Sequence, residues 1–148
     1  MNTNLNIKQI SAQETHAVRH PVLRTGKPIE SCILPGDNLK TTLHFGLFNK
    51  NTIIGVCSFL KNSNPNIPSS NQYQLRGMAI LKAYQGQGLG KIILSHSEKF
   101  LANNSVKTIW CNAREVAVPF YKSNNYVPIG NAFNIKDVGL HYVMYKIL

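Results

Sequence analysis

Acidic residues are scarce in this sequence: six Asp plus Glu stand against sixteen Lys plus Arg in 148 residues. The formal charge of +10 and the pI near 9.7 favour anionic partners. A phosphorylated cofactor, a nucleic acid and an anionic membrane all satisfy that sign, but the Lys and Arg are scattered and form no block of the kind found in nucleic-acid-binding tails. Cysteine is scarce too. Cys32, Cys57 and Cys111 are odd in number, far apart and never in a C-x-x-C pair, which argues against a disulfide framework and a structural zinc site. No apolar run approaches the ~20 residues of a membrane helix. The start, Met1-Asn2-Thr3-Asn4, lacks the basic stretch and apolar core of a secretory leader, so a cytoplasmic protein without a membrane partner is expected. Repeats, heptads and long Gly/Ser linkers are missing as well. What remains is an ordinary globular composition, 43% apolar and 15% charged at 16.5 kDa, sufficient for one compact domain over residues 1–148.

The pattern along the chain alternates strands and helices. Residues 5–10 alternate like a short strand, and Ser11 followed by Glu14 has the spacing of a capping box opening a helix that Pro21 ends or bends. Residues 24–40 read as loop with one short helix at most, and 61–71 as a polar surface loop. Residues 42–48 and 52–60, separated by Asn49-Lys50-Asn51, predict a hairpin. A buried strand at 73–81, a helix at 88–102 with Leu89, Ile92, Ile93, Phe100 and Leu101 at helical spacing, and a strand at 106–111 follow. A second short helix at 115–123 and closing strands at 126–129 and 140–147 complete the order. This alternation predicts an α/β fold, a mixed sheet with helices on its faces, in which 73–111 forms a right-handed parallel crossover.

The strongest local signal is Gln85-Gly86-Gln87-Gly88-Leu89-Gly90, between a buried strand and an amphipathic helix. Glycines in that context let backbone N–H groups approach a phosphate, and the helix start adds about half a positive charge. A Walker A loop is disfavoured, because Gln85 stands where its first Gly belongs and Ile92, without a hydroxyl, follows Lys91. The dinucleotide fingerprint is weakened because 106–111 supplies no acidic residue for a ribose.

The run Ile80-Leu81-Lys82-Ala83-Tyr84-Gln85-Gly86-Gln87-Gly88-Leu89-Gly90 resembles the acetyl-coenzyme A pyrophosphate loop of the GCN5-related N-acetyltransferases, Q/R-x-x-G-x-G/A after an apolar strand. Ala117-Val118-Pro119-Phe120-Tyr121 with Asn125-Tyr126 resembles a second signature of that family, A-x-x-F-Y and a Gly-aromatic pair. Asn125 stands in place of the Gly, at a helix end where Asn is the next-best left-handed residue. The resemblance implies a mixed, mostly antiparallel central sheet with a splayed parallel strand pair around 78–80 and 108–110 and helices on both faces. It implies acetyl-CoA as co-substrate, held by Met78, Ala79, Ile80, Gln85, Gly86, Gln87, Gly88, Leu89, Gly90, Lys91, Arg114 and Tyr121, and no metal.

Acetyl transfer to an amine needs a neutral nucleophile, oxyanion stabilisation and a proton for the leaving thiolate. By resemblance the Ile80 N–H meets the thioester carbonyl and Tyr121 is the general acid; a phenol's ordinary pKa of about 10 lies above a thiol's 8.5, so placement must assist. The stretch Gln74-Leu75-Arg76-Gly77 holds no carboxylate, which excludes a direct Glu base there. Ordered water, His44 or His141 remain, with His141 preferred because Gly139-Leu140-His141 enters the closing strand near the expected acceptor cleft. Arg24 and Arg76 are candidates for holding a substrate carboxylate, Arg114 for a cofactor phosphate, and His16 with His20 has a chelating spacing without a third ligand. The expected acceptor is a small-molecule amine or a protein amino group, and a homodimer stays open. A non-catalytic acyl-CoA sensor is the alternative. A nucleic-acid module is disfavoured by the single Arg and missing aromatics at 75–81.

Overall fold

The computed structural model describes residues 4–148; Met1-Asn2-Thr3, read above for a leader, lie outside them. The strands are β1 (Leu5–Gln9), β2 (Leu43–Asn49), β3 (Thr52–Lys61), β4 (Gln72–Ile80), β5 (Thr108–Arg114), β6 (Val127–Ile135) and β7 (Gly139–Ile147), and the helices α1 (His16–Leu23), α2 (Leu89–Asn103) and α3 (Val118–Ser123). One seven-stranded sheet runs in the order β1-β2-β3-β4-β5-β7-β6. The pairs β1/β2, β2/β3, β5/β7 and β6/β7 are antiparallel, and β4/β5 is parallel. That parallel ladder joins only Gln72 to Thr108, Tyr73 to Ile109 and Gln74 to Trp110, the opening residues of both strands. It stops there, as a splayed pair requires, but Thr108, Ile109 and Trp110 are the joined residues, so on β5 the pairing ends after Trp110 and the expectation of a parting around 108–110 is corrected.

The chain divides into two compact units, one running through Leu60 together with Arg76–Phe100, the other Lys61–Leu75 with Leu101–Leu148. In the first, the β2–β3 hairpin turns at Lys50-Asn51 between the paired Asn49 and Thr52, with Lys50 at φ +56°. Successive strand residues face opposite sides, and β3 uses both. Val56 packs with Val18 of α1 and Ala79, while Cys57 contacts Ser97 of α2 at 3.4 Å, so the helices cover opposite faces. On the α2 side Phe45 meets Phe59 and Phe100 edge-on at 6.0 and 5.4 Å. The capping box ahead of α1 forms as expected, with Ser11 N–H on Glu14 and Glu14 N–H on Ser11 Oγ. Pro21 does not end α1, which continues to Leu23; proline costs a helix one N–H bond and some crowding, and Val18 is already anchored in the core on this short helix.

In the second unit the polar loop after β3 is tied down by buried Gln72, whose side chain accepts from Asn64 N–H and donates to the carbonyls of Ile67 and Ser69. Helix α3 ends as anticipated. Asn125 has φ +71°, and the bonds Tyr126 N–H to Tyr121 O and Asn125 N–H to Lys122 O form a Schellman motif. Strand β5 is longer than 106–111 implied, because Asn112, Ala113 and Arg114 pair with Val143, Tyr142 and His141 of β7. Arg114 therefore closes β5 and at the same time caps the 3-10 turn Glu115–Ala117 that leads into α3. Strand β6 also outruns 126–129: its register shifts between Ile129, opposite Val143, and Phe133, opposite His141.

Candidate active site

The glycine loop belongs to the first unit. Gly86 and Gly88 have φ +79° and +77°, and a Cβ on either would meet nothing within 4 Å. Open space above backbone in a glycine conformation is what a cradle for a bound group requires. The N–H groups of Gly86, Gln87 and Gly88 make no backbone bond among the described residues, and the first closed bond of α2 is Ile92 N–H to Gly88 O at 3.4 Å. Leu89, Gly90 and Lys91 thus add unpaired first-turn donors at the positive helix end. Gln85 differs. Its N–H donates to Lys82 O and its side-chain Nε2 to Ile80 O, so it braces the loop from below and the cradle begins at Gly86. These donors fit a pyrophosphate, and Lys91 supplies a cation beside them.

The proton-handling candidates belong to the second unit. His141, buried on β7, holds its Nδ1 2.8 Å from Gly139 O. A carbonyl only accepts, so Nδ1 carries a proton, and in the neutral ring the lone pair is on Nε2. Phe133 of β6 lies against the ring with centroids 5.9 Å apart and planes tilted by 32°. Arg114 is the β5 register partner of His141 and is exposed. Phe133, His141 and Arg114 therefore form one row across a face of the sheet. Tyr121 is buried on α3, with its ring edge-on to Phe120 and Tyr126 at 5.1 and 5.5 Å.

His44 is committed elsewhere. Arg19 Nη2 donates to Ser58 Oγ at 2.8 Å, which leaves the serine proton for His44 Nδ1 at 2.6 Å, while His44 Nε2–H donates to Asp37 O at 2.9 Å. Both ring nitrogens are spent, and burial pushes its pKa down, with Arg19 and Arg76 reinforcing that against the pull of Asp37. The hub is Asp37: Oδ2 accepts from Arg19 Nη1 at 2.6 Å and Leu34 N–H at 2.9 Å. Burial alone would raise its pKa, but these bonds and the Arg19 charge win and hold it below the usual carboxylate range. Sequence reading missed both Asp37 and Arg19; no local pattern links residues 18 apart across a Pro/Gly-rich loop. It also missed Phe133. Arg24 spends Nε and Nη1 on the carbonyls of Ser31 and Leu23, and His20 Nε2 donates to Lys27 O, which removes that nitrogen as a metal ligand. Cys57 and Cys111 are buried and pushed up to about 12, far from reactive thiolates.

A glycine cradle at a helix start after a strand, a parallel pair joined only at its opening residues, and a Schellman-ended Phe-Tyr helix define an acyl-CoA-dependent transferase fold. The model of the acetyltransferase (GNAT) family matches residues 13–126, and the chain belongs to that family. It is 37% identical over 144 residues to the "uncharacterized N-acetyltransferase YitI" of Bacillus subtilis (strain 168), covering 97% of each. Among solved structures it resembles a protein from Lactobacillus plantarum described as an N-acetyltransferase (TM-score 0.80, 16% identity, 99% of each chain). It also resembles an aminoglycoside 6'-N-acetyltransferase complexed with coenzyme A (TM-score 0.77, 10% identity, 96% of each chain); at such identities these two show a shared fold. The chain is an acetyl-CoA-dependent N-acetyltransferase. Among the described residues no helix is long and apolar enough to cross a membrane.

Proposed function

We propose that residues 1–148 act as one catalytic domain that moves the acetyl group of acetyl-CoA to a primary amine, with His141 as general base and Tyr121 as general acid. The family match supports the first part, because it runs through both compact units. Acetyl-CoA supplies an activated thioester. The donors from Gly86 to Lys91 hold its pyrophosphate, Arg114 meets a further phosphate, and the backbone of Met78, Ala79 and Ile80 orients the thioester with an N–H on the developing oxyanion. His141 Nε2 takes the proton of the attacking amine, directly or through water, and the Tyr121 hydroxyl gives its proton to the departing thiolate. Solvent then exchanges both back. A cytoplasmic location belongs to the same reading, since all three cysteines are free thiols.

The observation that carries this reading is the tautomer of His141. The Gly139 carbonyl fixes the proton on Nδ1, and an imidazole so held presents a base at Nε2 in its neutral form. The rate of the wild type is expected to show a limb that climbs with pH, and His141→Ala removes that limb while acetyl-CoA still binds. A pH profile of His141→Ala that superimposes on wild type transfers the limb to the acceptor amine's own ionisation and ends the assignment.

A further inference from the structure

Charge does not balance around Asp37. Arg19 and Arg76 both address this one carboxylate, at 2.6 and 3.5 Å, and the bonds of His44 hold it in its neutral form. Arg19 is closed to solvent, with its side chain 1% exposed and both terminal nitrogens bonded, to Asp37, the Cys32 carbonyl and Ser58, although its Nε, like that of Arg76, is buried without a partner. Arg76 is open. Its Nη2 donates to Pro35 O at 2.6 Å, its Nε is buried without a partner, and its Nη1 bonds none of the described residues and is not buried. No carboxylate besides Asp37 reaches it among the described residues. A guanidinium cannot shed its charge at neutral pH, and a half-buried cation without a full counter-ion is costly. The arrangement is short of one anion.

The place of Arg76 gives that anion a source. It stands on β4 two residues before Met78, and so next to the backbone assigned above to the thioester. Gly77 fixes the step between them: it has φ +60°, and a Cβ there would lie 2.9 Å from Arg19 Nε. We infer that Arg76 Nη1 binds the carboxylate of the acceptor, so that the enzyme acetylates a small amine that itself carries a carboxylate. This rests on the acetyl-transfer reading of β4. Polycationic acceptors are disfavoured by the same charges, two guanidinium groups against one carboxylate in a chain with a net +10.

The test compares matched pairs: each proteinogenic amino acid with its decarboxylated amine, plus spermidine, as acceptors for kcat/KM. In parallel, calorimetry compares binding of the N-acetylated forms of the same pairs, which needs no turnover. At least one carboxylate member is expected to be favoured about 100-fold over its partner, the range of a charge-assisted hydrogen bond. Arg76→Met erases the preference with the Kd of acetyl-CoA unchanged, and Arg76→Lys restores part of it. Equal treatment of all pairs by the wild type, preference for spermidine, or an undiminished preference in Arg76→Met each overturns the inference. The wild-type comparison stands if the Met variant fails to fold. Arg76-dependent binding of an N-acetyl amino acid without acetyl-CoA binding would instead overturn the transfer reading and leave the anion subsite standing.

Discussion

Asp37→Asn removes the one negative charge in a buried cluster and leaves its geometry otherwise nearly isosteric. Arg19, 1% exposed at its side chain, then keeps a positive charge with no carboxylate opposite it, and an amide NH2 faces the guanidinium in one of its two orientations. Breaking a buried pair from one side costs about 3–5 kcal/mol, a large part of a typical domain stability of about 5–15 kcal/mol. With a urea m-value of about 2 kcal/mol/M, the midpoint at pH 7 falls by about 1.5–2.5 M with the slope unchanged. The pH dependence adds a second readout. Asp37 has a depressed folded pKa, so its stabilisation is present above the unfolded value of about 3.9 and is lost as pH falls through the lower folded value. His44 is depressed as well, and its contribution starts to fade earlier, once pH drops below the unfolded value of about 6.5. Acidification therefore weakens the wild type in two stages. The Asp37→Asn protein retains the upper stage and loses the part of the lower that Asp37 supplies, leaving the part from Glu14, which its bonds to Ser11 also hold below the usual carboxylate range. A midpoint within about 0.3 M of wild type, or an unchanged low-pH stage, refutes the role given to this cluster.

Gly88→Val puts a β-branched side chain at φ +77° and into the open space over the loop; acetyl-CoA binding by calorimetry is expected to vanish while circular dichroism shows a retained fold, and unaltered affinity removes the loop from the site. Tyr121→Phe is expected to lower kcat about 100-fold with acetyl-CoA affinity nearly intact, because the hydroxyl acts as the thiolate departs. Wild-type turnover in that variant makes Tyr121 a packing residue.

What could be read from the sequence was local. Gly86 and Gly88 sit at positive φ directly before a helix whose apolar spacing is visible, Ser11 and Glu14 lie one turn apart, and Asn125 follows its helix immediately; each signal is contained in a few adjacent residues. What escaped was built by pairing at a distance. The contact of Phe133 with His141 depends on the register shift after Ile129, which breaks the two-residue count by which cross-strand partners are inferred. Asp37 lies in a segment without periodicity, and its partners Arg19, Arg76 and Leu34 come from three elements or their flanks. The commitment of His44 needed the direction of two hydrogen bonds, and the spare nitrogen of Arg76 needed a full account of its neighbours.

The three cysteines have a practical consequence. Each is a free thiol sealed in the interior, Cys32 within the segment that joins α1 to β2 and Cys57 on β3 in one unit, Cys111 on β5 in the other. Burial holds Cys57 and Cys111 at about 12, so a maleimide or disulfide reagent at neutral pH meets almost no thiolate until the surrounding structure opens. Labelling kinetics therefore count opening events, and mass spectrometry can assign each event to its own cysteine. The wild-type chain carries its own clock for local unfolding in each unit, with no engineered probe needed to compare them.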